Sequence, residues 1–109
     1  MARVAAVGSG EVDFSVLKAY ARGDDSFVRD VLALFRTEAA GWAPSLDPEA
    51  PDWRAVVHTM KGTSRTVGAR SLGDLCEQAE RDGAVVLPAI QASLQAALDE
   101  IEAYLGEAT

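Results

Sequence analysis

The stretch Trp53-Arg54-Ala55-Val56-Val57-His58-Thr59-Met60-Lys61-Gly62-Thr63-Ser64-Arg65-Thr66-Val67-Gly68 decides how this chain is read. By propensity it is a poor helix. Three Thr, one Ser and one Gly stand between His58 and Thr66, and an interior Gly alone costs about 1 kcal/mol relative to Ala. A helical wheel at about 100° per residue nevertheless sorts it cleanly. Trp53, Val56, Val57, Met60, Thr63, Ser64 and Val67 share one side, the apolar core face. Arg54, His58, Lys61, Gly62 and Arg65 gather in a different arc, roughly 100° wide, with His58 near its middle. The spacing predicts a helix from Trp53, with Asp52 as its cap and Gly68 as its stop.

The same period governs the flanking sequence. Phe14, Leu17 and Ala21 start a short helix that Gly23 ends. Asp24-Asp25-Ser26 offers caps for a long helix with apolar positions Phe27, Val28, Val31, Leu32, Leu34, Phe35 and Ala39. Three of the four prolines lie in residues 44–51 and mark a loop. Beyond Gly68, Ser71 is positioned to cap a helix carrying Leu72, Leu75, Cys76 and Ala79 on one face, with Gly83 past its end. Pro88 suits the first turn of a last helix striped by Ile90, Leu94, Ala97, Leu98, Ile101 and Leu105. The expectation is an all-α fold, an antiparallel (up-down-up-down) four-helix bundle with a short additional N-terminal helix. Residues 12–109 would form the domain and residues 1–11 a flexible N-terminal segment. Gly8-Ser9-Gly10 mimics a dinucleotide-binding loop, but Asp13 falls where that pattern needs its third Gly, and an acidic side chain there would repel a pyrophosphate.

Length and composition narrow the function classes. The 109 residues suit one domain, and 49% hydrophobic residues are enough for a core. One Cys and one His exclude a disulfide framework and a Cys/His zinc site. No apolar run reaches the roughly 18–20 residues of a membrane span, and the start is too short in apolar residues for a secretory signal. A cytoplasmic protein is the expectation. The formal net charge of −7 argues against nucleic acid. That charge is unevenly spread. Residues 53–73 hold Arg54, Lys61, Arg65 and Arg70 and no acid, a local +4, while the remaining chain carries 6 basic and 17 acidic side chains.

One imidazole on a helix, flanked by cations and beside a bare backbone at Gly62, suits one chemistry in particular. A neutral imidazole nitrogen is a good nucleophile toward phosphorus, and adjacent cations can hold phosphoryl oxygens. No nucleotide-binding motif is present, so phosphate would have to arrive from another protein. Taken alone, an exposed His is most often a solvated side chain and a helix Gly merely tolerated. Cys76 reads as a buried free thiol, and Trp42 and Trp53 as packing around the loop.

The combination His58, Lys61, Gly62, Ser64, then Gly68-Ala69, then Leu72, Leu75, Cys76 and Glu80 resembles the signature of the histidine-containing phosphotransfer (HPt) domains of two-component phosphorelays. Phe14–Leu17 and Gly23–Val28 are similar to the first two helices of that family, and the resemblance covers roughly residues 12–105. It implies His58 as phosphoacceptor, Lys61 as stabiliser of the phosphoryl group, and Glu80 as a residue orienting the imidazole. Ser64 would support the site from the core side. Gly62 would permit close docking of a receiver domain, with the basic residues Arg54 and Arg65 at the rim. Arg65 departs from the family pattern, where many members carry a small residue.

The resemblance further implies a relay intermediate and not an enzyme, with no cofactor, no bound metal and no nucleotide. Its partners would be the receiver domains of a hybrid histidine kinase and of a response regulator, met as a monomer. Any Mg²⁺ used in transfer would belong to the receiver. Two other readings remain. One is an HPt-like adaptor that binds without phosphotransfer, against which His58, Lys61 and Gly62 argue. The other is a histidine kinase fragment, against which the missing ATP-binding glycine motif argues.

Overall fold

Helix caps set the frame of the chain. In the computed structural model, which describes residues 10–106, five α-helices and two 3₁₀ turns account for the regular structure, and no strand occurs among the described residues. Helix α1 spans Phe14–Ala21. Asp13 caps it by accepting from the Ser15 amide at 3.0 Å, and Arg22 in left-handed conformation ends it. Helix α2 spans Asp25–Trp42, with Asp24 accepting from the Phe27 amide at 3.3 Å. A 3₁₀ turn, Ala43–Ser45, and the Pro-containing loop lead to α3, Trp53–Thr66. Helix α4 spans Arg70–Asp82, a second 3₁₀ turn covers Ala84–Val86, and α5 runs Leu87–Gly106. No described helix is long and apolar enough to cross a membrane.

The core forms where the predicted stripes meet. Val28, Leu32, Phe35, Ala39 and Trp42 from α2 join Val57 and Met60 from α3. Leu72, Cys76 and Ala79 from α4 and Ile90, Leu94, Ala97, Ile101 and Leu105 from α5 complete it. Side chains such as Phe35, Ile90 and Ile101, removed from water, contribute about 1.5–3 kcal/mol each. That burial offsets the weak propensity of α3.

Three sequence expectations change. Phe27 and Leu34 are exposed on α2 and do not join the core. Each immediately precedes a buried residue, Val28 or Phe35, so it sits about 100° around the helix from the core face. Helix α4 begins at Arg70 with Ala69 as its uncapped N-terminal neighbour, so Ser71 is not its cap. The turn from α3 is too tight for that: the Ala69 amide returns to the Ser64 carbonyl at 2.8 Å, and helix resumes at once. Asp52 does precede α3, but its carboxylate accepts from the Ser45 hydroxyl, not from the helix amides.

Of the N-terminal segment expected to be flexible, residues 1–9 lie outside the described residues. Glu11 is tied down. Its amide and that of Val12 donate to the two carboxylate oxygens of Glu100 at 3.1 and 3.0 Å, and Ser93 donates to the Glu11 carboxylate. The Asp13 amide donates to the Gly68 carbonyl at 2.8 Å. The chain entering α1 is thus fastened both to α5 and to the α3–α4 turn.

Candidate functional site

Helix α3 turns Val57, Met60 and Ser64 inward, and His58 and Gly62 consequently outward. The His58 side chain is 71% exposed. Helix α4 folds back along α3 after the short turn, which brings Glu80 alongside His58. Glu80 is the hinge of the site. One carboxylate oxygen lies 2.6 Å from His58 Nδ1, and the other accepts from Lys61 Nζ at 2.6 Å. The two hydrogen bonds, to Lys61 first and to His58 second, hold the Glu80 carboxyl below the usual glutamate range despite its partial burial. An ionised carboxylate can only accept, so Nδ1 carries the proton. In the neutral ring that leaves the lone pair on Nε2, to which no described residue hydrogen-bonds.

The structure therefore brings together His58, Lys61 and Glu80 and leaves the other sequence candidates outside this hydrogen-bonded set. Ser64 is fully buried, and its hydroxyl has no hydrogen-bond partner among the described residues. Arg54 lies over the Trp53 ring, 4.5 Å from its centroid. Gly62 is exposed, has no positive φ, and a Cβ added there would meet nothing within 4 Å. No contact within the molecule asks for a glycine at this place. A Gly62→Ala variant should therefore gain about 0.5–1 kcal/mol of stability in urea unfolding, whereas transfer to or from a docked partner should slow.

Folding pairs two of the four cations in the acid-free run, Lys61 and Arg65, with acids of α4. Arg65 Nη2 donates to Glu77 at 2.6 Å and to Asp74 at 3.0 Å, and Arg81 lies 3.7 Å from Glu77. Lys61 is taken by Glu80. The part of the basic arc at Lys61 and Arg65 is thus matched by acids of α4, while Arg54 rests on the Trp53 ring. Sequence inspection missed Asp74 and Glu77 because they lie outside the acid-free run. Their signal was the recurrence of acids every three residues at 74, 77 and 80, which a helical hairpin hinged at Gly68 carries past Arg65 and Lys61. Gly73 was also missed. A Cβ there would come within 2.8 Å of Arg65 Cγ, so the bare backbone seats the arginine.

Behind the site, Cys76 is buried, and burial together with the Glu80 charge pushes its thiol up to about 12. It stays protonated and packs as a small apolar side chain.

Two comparisons with known proteins identify the family. A model of the Hpt domain matches residues 28–104, a span that includes His58, Lys61 and Glu80. The crystal structure of the histidine phosphotransferase ShpA from Caulobacter crescentus superposes with a TM-score of 0.85. At 49% identity, that match covers 90% of this chain and 93% of that one. No curated protein matches the chain. A five-helix fold bearing an exposed histidine held by a carboxylate, together with both of these matches, shows that the chain belongs to the Hpt domain family, whose members carry phosphoryl groups in phosphorelays and are not kinases.

Proposed function

We propose that His58 accepts and donates the phosphoryl group, through Nε2. The observation that carries this is the Nδ1–Glu80 contact at 2.6 Å on a 71% exposed ring. It selects the tautomer whose lone pair faces outward. In the forward step that lone pair forms the N–P bond while the P–O bond to a receiver aspartate breaks, and the carboxylate leaves. No proton need move: Nδ1 keeps its hydrogen, and the ring's new positive charge lies against Glu80. Reversal delivers the phosphoryl group to a second receiver aspartate.

Lys61 is the cation within reach of that chemistry. It rests on Glu80 and can swing to the phosphoryl oxygens as they arrive. Gly62 and Arg54 form the docking surface. The bare helix at Gly62 lets a receiver approach, and Arg54 faces the rim of its acidic pocket. Ser64 supports α3 from the core side. The four longer helices α2–α5 act as an up-down-up-down bundle with α1 as an addition. The working form is a cytoplasmic monomer serving the receivers of a hybrid kinase and of a response regulator. It needs no nucleotide or cofactor of its own and binds neither nucleic acid nor membrane.

Incubation with a phosphorylated receiver domain should yield a phosphoprotein that is acid-labile and alkali-stable, and ATP alone should yield none. In Lys61→Ala the loss of one charge-assisted contact should slow transfer roughly 10- to 100-fold with the fold intact. An unchanged rate would remove Lys61 from the mechanism, and labelling from ATP alone would make the protein a kinase.

A further inference from the structure

The sequence sets Arg65 among the docking residues, and the structure gives it a place no docking role requires, between Glu77 and Asp74 of α4. Lys61 and Arg65 are four residues apart on α3, and Glu80 and Glu77 three apart on α4, so each pair lies on one side of its helix. The two helices present two rungs: Lys61 to Glu80, and Arg65 to Glu77 and Asp74. The rungs are not independent. Glu77 is held below its ordinary range by Arg65 first of all, and Lys61 also contributes. Glu77 is thus a second carboxylate within the field of the lysine that the site needs. Arg65 occupies both acids and is kept there by Gly73, where any side chain would collide with its Cγ.

We infer that Arg65 is a positioning residue for phosphotransfer: by neutralising Glu77 and Asp74 it leaves Glu80 as the sole carboxylate partner of Lys61, poised beside His58. Without Arg65, Glu77 keeps only the longer contact to Arg81 at 3.7 Å and, one helical turn from Glu80, draws Lys61 along α3, away from the imidazole. Gly73 belongs to the same device as the seat of the arginine. This inference rests on the proposed roles of His58 and Lys61, and one of the two measurements below is independent of them.

The first measurement is the transfer rate from a phosphorylated receiver domain as a function of receiver concentration. Losing part of one charge-assisted contact, Arg65→Ala should lower the maximal rate about fivefold and leave the half-saturating concentration unchanged. Arg65→Lys should retain most of the rate. Gly73→Ala should reproduce the slow rate, because the added Cβ displaces the Arg65 side chain from its acids. Arg65→Ala/Glu77→Gln should restore transfer, because the competing carboxylate is gone. A raised half-saturating concentration at unchanged maximal rate would instead make Arg65 a docking cation and overturn the inference, as would a double variant as slow as the single one.

The second measurement uses the free protein. The side-chain carboxyl ¹³C shift of Glu80, followed against pH, should titrate higher in Arg65→Ala than in the wild type and return in the double variant. An unmoved Glu80 titration overturns the inference whatever the rates show. Failure of the wild type to take up phosphate, with Glu80 still responding, would instead refute the phosphoacceptor role of His58 and leave the placement of Lys61 by Arg65 standing.

Discussion

A His58→Gln variant accepts no phosphoryl group from a phosphorylated receiver. The expected loss is complete because the substitution removes the atom proposed to react. Glutamine places an amide on a chain long enough to approach Glu80 and can donate to the carboxylate that His58 Nδ1 now faces at 2.6 Å. It offers no lone pair with the nucleophilicity of a ring nitrogen. The side chain is 71% exposed, so its replacement should shift stability by no more than about 0.5 kcal/mol. Urea unfolding of the variant should overlay that of the wild type, which separates lost chemistry from a lost fold. Undiminished acid-labile label in the variant would move the phosphoacceptor elsewhere.

Gly68→Ala carries the largest expected cost in stability, although it changes a single methyl group. Gly68 has φ +90°, a conformation alanine adopts only with strain, and its added Cβ would collide with the Asp13 carbonyl oxygen and lie 3.3 Å from the Asp13 nitrogen. The collision is with backbone, so no rotamer change relieves it. Relief requires the chain before α1 to move, and that breaks the Asp13 N–H bond to the Gly68 carbonyl at 2.8 Å. Backbone strain of about 1–3 kcal/mol and a lost hydrogen bond of about 0.5–1.5 kcal/mol together approach 3 kcal/mol. For a domain of this size that lowers the melting temperature by more than about 10 °C. Gly41→Ala is the control. A Cβ at Gly41 meets nothing within 4 Å, and the variant should be as stable as the wild type or more so. A melting temperature for Gly68→Ala within a few degrees of that control would show that the α1 entry segment is not fastened to the turn.

Much of this was legible in the chain itself, for reasons that are local. The stripe Val28, Leu32, Phe35, Ala39 is readable because an α-helix repeats every 3.6 residues wherever it sits. Asp24 before Phe27 and Gly83 after Asp82 are readable because caps act over one turn. The outward direction of His58 follows from the inward direction of Val57 and Met60. Where local rules failed, a longer-range contact had taken over. Ser71 lost its capping role to a backbone turn closed from Ser64, and Asp52 spent its carboxylate on Ser45 across the loop.

The sequence by itself determined the helices, their apolar faces and the motif that places a histidine, a lysine and a bare glycine on one exposed arc. Only the tertiary structure decided what the charges do. Whether Arg65 faces a partner or an acid of its own chain depends on the rotation and offset of α3 against α4. Those are set by how Met60, Val57, Leu72 and Cys76 interlock in the core, and no pattern within either helix records it. The acid-free run around His58 is therefore true of the sequence but not of the surface at Lys61 and Arg65. Folding lays Asp74, Glu77 and Glu80 against two of its cations, Lys61 and Arg65, and one of those acids, Glu80, also holds the imidazole.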